Sequence, residues 1–103
     1  MIGEIPYFEL LSDDFFDPIE GPVKDKEGFY KRILEFIEFN LMSSYKIEIL
    51  CYFVNSTGGV LEATLEHPGY YKSLKKCIEY YEEIEEYEKC NRIKSLIEEY
   101  ILF

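Results

Sequence analysis

Residues 45–66 read YKIEILCYFVNSTGGVLEATLE, and this stretch decides the fold. Ile47, Ile49, Cys51 and Phe53 fall on one face of an alternating run rich in β-formers, as a strand requires. After the turn-forming run Asn55-Ser56-Thr57-Gly58-Gly59, Leu61, Ala63 and Leu65 alternate with Glu62, Thr64 and Glu66. Two alternating runs joined by a five-residue loop predict a β-hairpin. Pairing Val54 with Val60 sets Phe53 opposite Leu61, Cys51 opposite Ala63 and Ile49 opposite Leu65, which makes one face wholly apolar. Such a face must be covered by a helix. Two strands alone are marginal in water, so residues 5–11 or a second chain are expected to add a third strand.

Upstream, Phe29, Tyr30, Ile33, Leu34, Ile37 and Leu41 fall at helical spacing, with Asp25 placed to cap the segment. A helix over 26–42 follows. Phe36 and Phe39 lie off the main stripe, so this helix is expected to be covered on more than one side.

Downstream of Gly69 there is no glycine or proline, and a single long helix could be drawn. The apolar phase opposes it. Tyr70, Leu74, Cys77, Tyr81 and Ile84 form one stripe, whereas Ile93, Ile97 and Tyr100 begin nine residues later and would face the opposite side of a continuous helix at about 100° per residue. A break near residues 85–87 lets both stripes meet one core and predicts an antiparallel helical hairpin, closed by a tight turn without glycine.

Residues 74–97, LKKCIEYYEEIEEYEKCNRIKSLI, resemble the UVR motif, a short helical hairpin that serves as a protein–protein contact module in nucleotide-excision repair subunits and in regulators of bacterial proteolysis. The matching positions are Glu86-Tyr87-Glu88-Lys89-Cys90 and Arg92-Ile93, with Ile97 closing the stripe. Asn91 stands where that family usually has a small apolar residue, and Ser95 where it usually has an acid. The resemblance implies a turn near Glu86 and a regulatory adaptor whose residues 74–97 bind a partner by themselves.

The chain has 103 residues, a formal net charge of −10, 48% apolar and 17% aromatic residues, with ten Tyr, eight Phe and no Trp. This length suits one domain with one core. Its hydrophobicity is too high for an acidic disordered tail. No uncharged run in the sequence, that at residues 39–45 included, reaches the ~20 residues a membrane span needs. The basic and apolar regions of a secretory signal are not seen at the N-terminus. Three cysteines, Cys51, Cys77 and Cys90, make no disulfide framework and read as buried reduced thiols, so a cytoplasmic location is expected.

The charge is concentrated at the ends. Residues 1–23 carry six acids and no base, and residues 77–103 carry eight acids against three bases. Glu79, Glu82, Glu83, Glu85, Glu86 and Glu88 crowd a helix surface with like charges at i,i+3 and i,i+4, a few tenths of a kcal/mol unfavourable per pair. Lys75, Lys76, Lys89 and Lys94 could relieve part of this as an ordinary solvated face. The functional alternative is a negative patch that attracts a basic partner and stands in for phosphates. Asp13-Asp14-Phe15-Phe16-Asp17 adds three carboxylates and two rings, which either dock on a partner or pin an acidic loop to the core. The candidate partner-binding residues are therefore Glu79, Glu82, Glu83, Glu86, Asp13, Asp14 and Asp17.

Other chemistries find little support. The Asp13–Asp17 acids lack the spacing, glycine and twelfth-position Glu of a calcium loop. His67 is the only histidine, and with the cysteines scattered it makes no zinc or Cys–His pattern. Residues 57–59 lack the spacing and lysine of a phosphate loop and read as turn chemistry. No metal or cofactor is expected. Duplex binding draws on Lys and Arg, and the field here has the wrong sign.

The reading is a single α+β domain: an acidic extended segment over 1–23, a helix over 24–43, a small antiparallel β-hairpin over 45–66 and a helical hairpin over 69–103. The expected function is non-enzymatic. A small acidic protein inhibits a larger basic protein, one that handles nucleic acid, in the manner of immunity proteins, antitoxins and phage anti-defence proteins. The alternatives are the UVR-like adaptor, a homodimer joined by the hairpin edge or the Tyr-rich helices, and a small enzyme that brings His67, tyrosine or the Asp13–Asp17 carboxylates into one pocket.

Overall fold

The computed structural model describes residues 4–11 and 23–101. They form a three-stranded mixed sheet and three helices, an α+β fold, in the order β1 (Tyr7–Glu9), α1 (Lys26–Met42), β2 (Ile49–Val54), β3 (Val60–Thr64), α2 (Tyr70–Glu83) and α3 (Tyr87–Tyr100). Strand order is β1-β2-β3, so the central strand is β2.

The third strand comes from the N-terminal segment and is shorter than the 5–11 span expected. It runs parallel to β2, with Tyr7, Phe8 and Glu9 opposite Tyr52, Phe53 and Val54. A parallel pair needs a crossover, and α1 supplies it. Leu10 continues the edge by bridging to Val23.

The β2–β3 hairpin follows the predicted register over most of its length, with Val54 opposite Val60, Phe53 opposite Leu61 and Cys51 opposite Ala63. It departs from it at the far end. Ile49 faces Thr64 instead of Leu65, because the register shifts between Ile49 and Cys51. The shift lets two consecutive side chains, Leu50 and Cys51, both be buried. Arg32 of α1 answers it from below, donating from Nε to the Leu50 carbonyl at 2.7 Å and from Nη2 to that of Ile49 at 3.3 Å. The hairpin's inner face is also less completely covered than its pattern implies, since Leu61 is 40% exposed. The turn uses glycine as expected: Gly58 has φ +88°, and the Gly59 N–H donates to Asn55 Oδ1 at 2.7 Å.

Helix α1 is capped as its sequence indicates, Asp25 Oδ1 accepting from the Gly28 N–H at 2.9 Å. It lies at the centre of the molecule. Phe29 meets Phe8 and Phe53 of the sheet at ring distances of 5.5 and 5.6 Å. On another side Tyr30 stacks on Tyr80 of α2 at 4.6 Å. Phe36, off the main stripe, is fully buried with Ile33 and Ile37, so the helix is indeed covered on more than one side. Each such side chain contributes about 1.5–3 kcal/mol of burial.

The chain breaks after Glu83, and α2 and α3 pack as a hairpin whose buried residues include Leu74, Cys77 and Tyr81 from one helix and Cys90, Ile93 and Ile97 from the other. Ile84, counted in the first stripe by its spacing, is exposed because it caps α2. No helix among the described residues is long and apolar enough to cross a membrane.

Candidate functional site

The turn between α2 and α3 is where the acidic sequence becomes a surface. Glu85 takes the left-handed conformation at φ +60°, which ends α2. The Glu86 N–H then donates to the Tyr81 carbonyl at 2.8 Å and the Glu85 N–H to that of Glu82 at 3.1 Å. These two bonds form a Schellman motif, which fixes the turn without the glycine usually found there.

Glu82 and Glu83 end α2, Glu85 and Glu86 make the turn, and Glu88 opens α3; all five are exposed. None of the five makes an ion pair or side-chain hydrogen bond among the described residues. Glu79 lies further back on α2 and faces Lys76 at 3.7 Å. The relief expected from the other lysines does not come. Lys89 crosses to Glu27 of α1 at 3.6 Å and sits over the Tyr81 ring at 4.9 Å, while Arg92 pairs with Glu38 of α1. These cations tie α3 to the core and leave the turn acids without a paired base among the described residues. Lys75 and Lys94 form no ion pair among the described residues.

Position along the helices separates these acids further. Glu86 is the N-cap of α3 and Glu88 lies in its first turn, the positive end of the helix dipole, where a carboxylate is favourable. Glu82 and Glu83 occupy the last turn of α2, the negative end of its dipole, which contains no base. Their placement opposes helix stability. Among these carboxylates stand two exposed apolar side chains, Ile84 at 44% and Tyr87 at 58%. An aromatic and an aliphatic anchor ringed by like charge, on a rigid turn, is an arrangement suited to gripping a protein surface of opposite charge.

Of the predicted site residues, Glu82, Glu83 and Glu86 are thus brought together at the turn, with Glu79 beside them on α2. Asp13, Asp14 and Asp17 lie outside the described residues. The three cysteines are buried thiols, as expected. Burial pushes Cys51 and Cys77 up to about 12 and also raises Cys90, which leaves little reactive thiolate near neutral pH. His67 is exposed in a one-turn helix at His67–Gly69, its ring 5.0 Å from that of Tyr70, on the rim of a cleft at the other end of the hairpin.

Two buried polar residues escape the sequence reading. Arg32 staples the β2 irregularity, as described above. Asn40, 3% exposed, accepts from the Ile47 N–H at 2.8 Å and donates to the Ile47 carbonyl at 2.9 Å and the Tyr70 hydroxyl at 3.3 Å. The signal was a polar residue in phase with apolar ones: Arg32 falls three after Phe29, and Asn40 seven after Ile33.

No family model matches the chain, and no curated protein or solved structure matches it. The helical hairpin that the UVR resemblance implies is formed, and Asn91 and Ser95, which depart from that motif, are both exposed. None of the comparisons supports kinship with that family.

Proposed function

We propose that this protein is a non-enzymatic inhibitor that covers a basic surface of a larger protein with its α2–α3 turn. The observation that carries this reading is the set of five carboxylates at that turn without a counter-ion among the described residues, with Ile84 and Tyr87 exposed among them. Two of the acids, Glu82 and Glu83, sit where the helix dipole disfavours them, so folding does not account for their presence. A partner rich in Lys and Arg would. Long-range attraction speeds encounter, and burial of the two apolar side chains then holds the complex.

A surface that binds phosphates is basic, so a nucleic-acid-handling protein is the kind of target this patch fits. Small acidic immunity proteins, antitoxins and anti-defence proteins work in this way, and the comparison with them rests on size and charge. A cytoplasmic setting agrees with three free thiols.

The test is capture from cell lysate on the immobilised full chain, beside a variant carrying Glu82→Lys, Glu83→Lys and Glu86→Lys. A basic protein retained by the native chain at low salt, released at high salt and missed by the variant is the expected result. Its purified form should then lose activity when the native chain is added. Retention that survives both salt and the triple substitution would overturn the reading.

A further inference from the structure

A cleft of about 680 Å³ opens between the C-terminal end of α1, the start of β2 and the end of β3. Its size lies in the range of small-molecule sites, ~300–1,000 Å³. Leu41, Ile47 and Leu65 line it as half-buried apolar side chains, and the buried Tyr70 ring adds an aromatic wall that His67 extends. These walls are held in place. Asn40 grips both backbone groups of Ile47 and the Tyr70 hydroxyl, so a ligand meets a preformed surface and little ordering is required of the protein.

The charges at the rim select the ligand. Glu48 and Glu66 line the cleft, and neither forms an ion pair or side-chain hydrogen bond among the described residues. Lys46 also lines it, but its ammonium donates to the carbonyls of Asn40 and Ser43 and thereby closes the end of α1. Two uncommitted carboxylates over an apolar and aromatic floor disfavour an anion and favour a positive head group on a flat or apolar body. The Tyr70 and His67 ring faces add to that preference.

We propose that this cleft binds a small organic cation of the arylalkylamine or arylamidine type, with its body on Leu41, Ile47, Leu65 and Tyr70 and its head group between Glu48 and Glu66. The site is separate from the α2–α3 turn. It stands or falls independently of the inhibitor reading.

Benzamidine is the probe, with benzoate and benzyl alcohol as rings bearing a negative and a neutral head. Each is titrated into the isotope-labelled full chain while amide resonances are followed. Benzamidine should shift the amides of Ile47, Glu48 and residues 64–67, 69 and 70 saturably, with Kd on the order of 1 mM for so small a ligand. Glu48→Gln and Glu66→Gln should each weaken it about two- to fivefold and leave the rest of the spectrum in place. The proposal is overturned if benzoate or benzyl alcohol shifts the same amides as strongly, if the double Gln variant binds benzamidine unchanged, or if benzamidine shifts only residues 82–88 or nothing.

Discussion

The Glu86 amide donates to the Tyr81 carbonyl at 2.8 Å across a residue, Glu85, whose φ is +60°. Any L side chain is strained in that conformation by roughly 1–2 kcal/mol, and glycine is not. Glu85→Gly should therefore stabilise the fold by about 1 kcal/mol, allowing for the extra chain entropy glycine carries when unfolded. Thermal unfolding should move up by about 4–8 °C for a domain of this size. A lower midpoint would mean that the turn is not held by this motif.

Glu82 and Glu83 differ from Glu88 in the sign of the helix dipole they meet. Glu82→Lys or Glu83→Lys puts a cation at the negative end of α2 and removes repulsion from Glu79, so each should stabilise by about 0.5–1 kcal/mol at low salt. Glu88→Lys should destabilise by a similar amount. Urea midpoints at low and high ionic strength check both signs, because salt should shrink both effects. If the same Lys substitutions at 82 and 83 also abolish capture of the basic partner, stability and function are separated at one site.

This pattern explains how far the sequence could be read. The β2–β3 register is legible from Cys51 to Val54 because the turn residues at 55–59 set Val54 against Val60 and the pairs behind them follow. It fails at Leu50, where an apolar residue follows another and alternation no longer says which is inward. The helix break is legible from phase alone, since the stripes of Tyr81 and Ile93 cannot share a face of one helix. The device that makes the break is not, because a Schellman turn built on Glu85 leaves no glycine to mark it. Partner choice is equally hidden. Lys89 and Arg92 lie within reach of the turn acids in sequence, yet they cross to Glu27 and Glu38 because α1 packs against α3. Only the tertiary arrangement shows that these two cations pair away from the turn.

Asn40 links α1 to the start of β2 and to α2 in one buried site. Asn40→Leu keeps the branched shape but strands the Ile47 amide and carbonyl and the Tyr70 hydroxyl. Leaving such groups unsatisfied costs about 1–3 kcal/mol each where water cannot reach them, so a total loss of about 2–4 kcal/mol is expected in urea unfolding. Amide exchange should quicken first at Ile47. A near-neutral substitution would show that these bonds are readily replaced by water.

Glu62 occupies the middle of β3, an edge of the sheet among the described strands, where Val60 and Leu61 are also exposed. Two copies pairing antiparallel through this edge about its centre would set Glu62 against Glu62, a destabilising like-charge pair. The native chain should therefore sediment as a monomer at micromolar concentration, and Glu62→Val should raise the dimer fraction. A native chain of doubled mass would instead place the homodimer contact on this edge or on the helices.

Alkaline pH should weaken the fold through groups whose protons burial retains. Burial pushes the Cys51 and Cys77 thiols up to about 12 and raises Cys90 as well. Burial, followed by its hydrogen bond to Glu27, lifts Tyr80 to about 12, and burial also raises Tyr30 and Tyr81. In the unfolded chain thiols titrate near 8.5 and tyrosines near 10. Above about pH 8.5 the unfolded state therefore binds fewer protons than the folded one, and stability falls as pH rises. Each buried thiol contributes up to about 1.4 kcal/mol per pH unit to that slope. Stability from these groups is fully present below pH 8.5 and is progressively lost toward pH 12. Urea midpoints under reducing conditions at pH 8, 9.5 and 10.5 should fall in that order, and a thiol reagent at pH 8.5 should label none of the three cysteines until urea is added. Equal midpoints, or rapid labelling of the folded chain, would show that the thiols are reached by water.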